Sequence, residues 1–214
     1  IPTSQVEYII SDSGTKLIVV SDLCQLKKTL DIQTTKKDLV IISMETPPDG
    51  IKNIRTFDEV SRLGEASLDT DDEFEKRINL IKPDHWASII YTSGTTGDPK
   101  GVILSHNNFV SNVEAAQKVI RFGPGEILLS IVPLNHVMGR LADHYLPIST
   151  ASTIAYVESL LRLRQNLLEV KPHYMLLVPR VLEMFKEGIL ANIAREPAYK
   201  QKIFNWALSS GIEC

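Results

Sequence analysis

The chain has 214 residues, 43% of them hydrophobic and 23% charged, with a formal net charge of −3. That is enough chain for a real core and one domain or a little more, and the slightly acidic balance speaks against nucleic acid as a partner. Two cysteines far apart, Cys24 and Cys214, suggest neither a disulfide framework nor a metal cluster, so a reducing, cytoplasmic setting is expected. No apolar run approaches the ~20 residues of a membrane span, and the N-terminus lacks a charged-then-apolar leader. Ile1 is not a start residue and helical pattern runs nearly to the last residue, so the chain reads as a piece of a longer protein.

In chain order, Val6, Ile9 and Ile10 recur at helical spacing, with Ser4 as the expected cap and Ser13-Gly14 as the stop. Residues 16–21 read as a buried strand, 22–30 as a short helix and 38–43 as a second apolar strand. Continuous apolar runs, rather than alternation, predict strands covered on both faces by helices. Pro47-Pro48-Asp49-Gly50 is a turn, 57–64 a short helix, and the acidic run 69–75 a solvated linker or helix start.

Next comes an apolar strand, 87–91, and then Tyr91-Thr92-Ser93-Gly94-Thr95-Thr96-Gly97-Asp98-Pro99-Lys100-Gly101. Clusters of Gly, Ser and Thr are solvated connections in many proteins. Here the density of hydroxyls and the Pro-Lys-Gly ending favour a phosphate loop. Glycines permit positive φ and close approach of a ligand, and successive N–H groups can converge on an anion. Thr92, Ser93, Thr95 and Thr96 add hydroxyls for phosphate or magnesium, and Lys100 adds a point charge. The nucleoside-triphosphatase pattern G-x-x-x-x-G-K-[ST] does not align: Lys100 follows Pro99, and Gly101 stands where the magnesium-binding hydroxyl belongs. Residues 102–105 read as a second short strand, which makes the loop the tip between two strands.

Phe109, Val113, Ala116 and Ile120 mark one face of the following helix, stopped by Gly123-Pro124-Gly125. Residues 127–132 form the next predicted strand, leading to Pro133-Leu134-Asn135-His136-Val137-Met138-Gly139-Arg140. A lone histidine is usually structural, but beyond the carboxyl end of a strand it stands where open α/β sheets bind ligands. Residues 153–157 read as a strand, 160–168 as an amphipathic helix closed by Lys171-Pro172, and 174–178 as another strand. Pro179-Arg180-Val181 opens a helix that Arg180 helps to hold through its neighbours. Pro197 interrupts, and 200–209 form a last helix. Strand–helix alternation indicates an α/β fold.

Residues 91–101 resemble the signature loop of the adenylate-forming superfamily, which comprises acyl-CoA synthetases, luciferases and peptide-synthetase adenylation domains. Residues 133–139 are similar to a second motif of that family, with Asn135 in place of serine. Arg140 and the stretch Asp143-His144-Tyr145-Leu146-Pro147 look most like the long-chain acyl-CoA synthetases. The resemblance is strong over 87–180 and weak over 1–83. It implies an acetyl-CoA synthetase-like α/β fold, partial, with parallel strands flanked by helices, in which residues 1–214 are part of the AMP-binding N-terminal domain and the small C-terminal domain is absent. It implies activation of a fatty acid by ATP through an acyl-adenylate, then transfer to coenzyme A, with Mg2+ as cofactor. Thr92, Ser93, Gly94, Thr95, Thr96, Gly97 and Lys100 would bind the nucleotide, with Thr92 touching magnesium. Lys100, His136 and Thr92 would be catalytic, His136 near the carboxylate being activated. The family's aromatic-Gly-x-Thr-Glu motif, ribose aspartate and C-terminal lysine are not found here, so the fragment is expected to be inactive alone. Acyl-chain length, oligomeric state and peripheral membrane contact stay open, as do other acid-activating enzymes, a phosphotransferase and a non-catalytic module.

Overall fold

A computed structural model describes residues 1–51, 54–67, 70–92 and 98–212. The chain divides into two compact units, residues 1–111 and 112–214. The first opens with α1 (Thr3–Asp12), β1 (Leu17–Val20), α2 (Leu23–Gln33), β2 (Val40–Ser43) and β3 (Ile54–Thr56). The three strands form a parallel sheet in the order β1-β2-β3. Its core is Ile10 from α1, Val20, Leu26 and Ile32 from α2, Leu39, and Ile41.

Sequence patterning locates these elements, with three corrections. Ser4 does not cap α1: the carbonyl of Pro2 accepts from the amides of Gln5 and Val6, so the helix opens before Ser4. β1 is not buried on both faces, since Leu17 and Val19 are about half exposed while Val20 is buried. The reason is that α1 and α2 both contribute to the core on the Val20 side. β3 had no counterpart in the predicted elements; three residues with one apolar side chain carry no strand signal. Asp22 caps α2 by accepting from the amide of Gln25 at 2.8 Å. Thr56 caps α3 (Phe57–Glu65) with Glu59 reaching back to the Thr56 amide, a complete capping box. The acidic run falls in α4 (Thr70–Asn79), where Arg77 pairs with Glu73 one turn away, both well exposed.

β4 (Trp86–Thr92) and β5 (Lys100–Ser105) then form an antiparallel hairpin, so the loop is the tip between two strands, as expected. The unit ends within α5 (His106–Val119).

In the second unit β6 (Ile127–Ser130) pairs in parallel with β7 (Thr153–Tyr156). The crossover between them holds a π-helical segment, Gly139–Tyr145, and α6 (Leu146–Ser149). Leu129, Leu163 and Val181 form the core, packed by Ile131, Ala155, Leu167, Met175 and Phe185 among others. The predicted helix over 160–168 is instead a 3-10 turn, Leu160–Arg162, followed by α7 (Leu163–Val170). The Ser159 side chain accepts from the Arg162 amide and re-aims the chain there, leaving Leu161 97% exposed and Leu163 buried. Lys171 closes α7 at φ +48°, in the left-handed region.

Residues 174–178 do not form the expected strand; only Tyr174 bridges to Leu128. The Leu129 amide donates to the Tyr174 carbonyl. In a continued parallel ladder the Ile131 amide would be the next donor on that side. It donates to the carboxylate of Asp143 instead, and the ladder stops. Pro179 then opens α8 (Pro179–Ile193), on which Arg180 pairs with Glu183 at 3.0 Å and lies 3.8 Å from Glu187, the holding role expected of it. α9 (Ala198–Ile212) follows. Among the described residues no helix is long and apolar enough to cross a membrane.

Candidate functional site

The loop is built on the hairpin stem. Thr92 and Lys100 are directly opposite each other in the last pair of the ladder, so their side chains leave the same face of the hairpin. Both are exposed. Two of the residues predicted from sequence to be catalytic therefore stand side by side at the mouth of the loop. Ser93, Gly94, Thr95, Thr96 and Gly97 lie outside the described residues.

One pair further down the stem, Tyr91 faces Gly101. A Cβ on Gly101 would come within 3.0 Å of Tyr91 Cζ and Ile89 Cγ2, so the ring lies over the glycine. The ring is also tethered at its far end: Tyr91 Oη donates to Asp12 Oδ2 at 2.6 Å, at the end of α1 and 79 residues away in sequence. Donation to Asp12 is the main reason that the Tyr91 phenol is pushed up to about 12, with burial and the Asp12 charge adding to it. Sequence reading missed Asp12, and nothing in its surroundings marks it.

The second motif is a compact turn at the end of β6. The His136 amide donates to the Pro133 carbonyl at 2.9 Å, and the Arg140 amide donates to the His136 carbonyl at 3.0 Å. The Met138 amide donates to His136 Nδ1 at 3.2 Å. Nδ1 therefore acts as an acceptor, which leaves the proton of the neutral ring on Nε2, the outward nitrogen of an exposed side chain. Asn135 is exposed too. Arg140 Nε donates to the Leu134 carbonyl. Gly139 is required by close approach: a Cβ there would stand 2.6 Å from the Pro133 oxygen and 2.8 Å from the Val132 oxygen.

Beneath the turn sits Asp143, fully buried. Its Oδ2 accepts from the amides of Ile131 and Val132, each at 3.1 Å. Burial pushes its carboxyl up, partly countered by those two amides and the Ser130 hydroxyl. In sequence, Asp143 stands out only within the stretch 143–147; a single acid between Ala142 and His144 carries no signal of burial.

Magnesium fits poorly with the described residues as a resident ion. They contain no group of three His, Cys, Asp or Glu side chains able to hold a metal, and Thr92 offers one neutral oxygen where magnesium takes six ligands, carboxylates among them.

The family described as AMP-binding enzyme matches residues 1–213. The long-chain-fatty-acid–CoA ligase ACSBG2 of Rattus norvegicus is 32% identical over 97% of this chain and 32% of its own length. Its counterpart from Xenopus laevis is 33% identical over 96% of the chain and 29% of its own length. ACSBG1 of Bos taurus is 32% identical over 97% and 30%. The chain thus spans about a third of the length of the curated relatives it matches. Among solved structures, ATP-bound MatB from Rhodopseudomonas palustris superimposes with a TM-score of 0.63 at 22% identity, over 85% of this chain and 33% of that one. The N-terminal domain of FACL13 from Mycobacterium tuberculosis gives 0.58 at 20% identity, over 86% and 43%. These two likenesses establish the fold, and the acetyl-CoA synthetase-like α/β expectation holds. With residues 91–101 and 133–139 both lying inside a match of that extent, the chain belongs to the AMP-binding enzyme family.

Proposed function

We propose that the protein containing this chain activates a long-chain fatty acid with ATP and transfers it to coenzyme A. The observation that carries the reading is the Thr92–Lys100 pair at the mouth of the loop; the ACSBG ligases, matched over nearly the whole chain, supply the substrate class. Residues 1–214 would be part of the N-terminal domain, with 91–101 as its phosphate loop and the small C-terminal domain outside these residues.

In the first half-reaction a carboxylate oxygen attacks the α-phosphorus of ATP, and the bond to the pyrophosphate oxygen breaks. An anion must approach a polyanion, so charge is the obstacle. Lys100 and the hydroxyl of Thr92, with Ser93, Gly94, Thr95, Thr96 and Gly97 between them, would hold the β- and γ-phosphates and stabilise the leaving group. His136, with Nε2–H outward, would donate to the carboxylate and orient it. In the second half-reaction the coenzyme A thiolate attacks the acyl carbon and AMP leaves. Magnesium, carried in with the nucleotide, would neutralise phosphate charge. The same reading puts the reaction in a reducing, cytoplasmic setting.

The test is ATP–pyrophosphate exchange by the full-length protein with carboxylic acids of graded length. Exchange dependent on a long-chain acid is expected. Lys100→Ala should slow single-turnover adenylate formation by about 10²–10³-fold, the effect of one preorganised donor, while fatty-acid binding stays within threefold. Unchanged adenylate formation in that variant refutes the role of Lys100. Release of ADP in place of AMP refutes adenylation altogether.

A further inference from the structure

We infer that Asp143 is the positioning residue for His136: it fixes the turn that presents the imidazole, an inference resting on the reading above only for what His136 then does. Three contacts from one helical segment grip residues 131–134, the entry to the turn that carries His136. Asp143 Oδ2 holds the amides of Ile131 and Val132. Arg140 Nε holds the Leu134 carbonyl at 3.2 Å. Gly139 lies directly against the carbonyls of Val132 and Pro133. Gly139 and Asp143 lie four apart in one π-helical segment, in which the Leu146 amide reaches back five residues to the Leu141 carbonyl, and residues four apart share one side of a helix. Gly139 and Asp143 thus meet the same strand end.

The chemistry of the acceptor is specific. A strand that ends under a cover leaves amides that need partners, and a buried unpaired N–H is costly. One carboxylate oxygen serves two consecutive amides here. Its other oxygen, Oδ1, is buried and has no hydrogen-bond partner among the described residues. Asp143 therefore acts as an acceptor for the backbone, with the Ser130 hydroxyl beside its carboxylate. An uncharged side chain of the same shape with one carbonyl oxygen should do the same work, whereas an apolar one should not. Release of the Ile131 and Val132 amides would let the turn shift, and with it the Met138 amide that holds His136 Nδ1. Misplacement of a reacting group by about 1 Å costs on the order of 10²-fold in rate.

The experiment uses the full-length protein labelled with [13Cε1]histidine, the His136 resonance being identified by its loss in His136→Asn. In Asp143→Leu, which fills the volume without an acceptor, the His136 resonance should move. Exchange kcat should fall at least 30-fold with the KM for ATP within threefold. Asp143→Asn should restore both the resonance and kcat to within threefold of wild type. An unmoved resonance with full kcat in Asp143→Leu overturns the inference. So does a displaced resonance, or a tenfold loss of kcat, in Asp143→Asn, an arm that stands even where the leucine variant does not fold. A wild type silent in exchange would sink the proposed reaction, while the resonance would still decide the role of Asp143.

Discussion

Gly139→Ala isolates the close approach that shapes the histidine turn. The new methyl would stand 2.6 Å from the Pro133 oxygen and 2.8 Å from the Val132 oxygen. Ordinary contact starts near 3.4 Å, so backbone must retreat by about 0.8 Å. Neither carbonyl is free to do so. Pro133 O is bonded to the His136 amide, and the amide of Val132 is bonded to Asp143. Overpacking against yielding side chains costs about 1–3 kcal/mol; against held backbone, with about one hydrogen bond lost, roughly 3–4 kcal/mol follows. For a chain of this size that is a fall in Tm of about 10 °C, read by circular dichroism and by urea unfolding. Gly188→Ala is the internal control. Gly188 lies inside α8 with nothing within 4 Å of an added Cβ, so alanine there should stabilise by about 0.5–1 kcal/mol. A Gly139→Ala protein within 0.5 kcal/mol of wild type would refute the close-approach argument.

Two other expectations concern local contacts. Spectrophotometric titration should show one phenolate forming near pH 12 in the wild type, and Asp12→Asn should bring that event back toward the ordinary value of 10.0. Because the folded-state value is raised, the stabilisation from this contact is complete below pH 10 and is lost as pH rises through about 12; a tyrosine titration unchanged by Asp12→Asn contradicts the tether. Thr56→Ala removes the acceptor of the capping box and should cost about 1 kcal/mol, whereas Ser4→Ala, within the first turn of α1 and without a capping bond, should change stability by less than 0.5 kcal/mol in the same urea series.

Local signals in the sequence were reliable where the structure is locally determined. The apolar runs before the loop and before Pro133 are β4 and β6, the reading of 102–105 as a strand made the loop a hairpin tip, and Arg180 pairs along its own helix. What escaped is set by distance in the chain. Asp12 meets Tyr91 across 79 residues, and Asp143 meets the β6 end across 11 and 12; both are single acids whose partners are backbone or a phenol, leaving no charge pattern to detect. The extended run 174–178 has a strand's composition, yet ladder formation depends on whether the neighbour's amides are still available, and Asp143 had taken one of them. Leu17 and Val19 look like core from composition alone, because an apolar run does not say which face a helix will cover.

The tyrosine over Gly101 also acts as a register key for the hairpin. Sliding β5 by one residue along β4 would bring Lys100 or Val102 beneath the ring, where a side chain now has no room. The same slip would turn the lysine to the opposite face, away from Thr92. A residue with no side chain thereby determines on which side of the loop the positive charge arrives, and it does so from the far face of the strand, without touching anything the loop would bind.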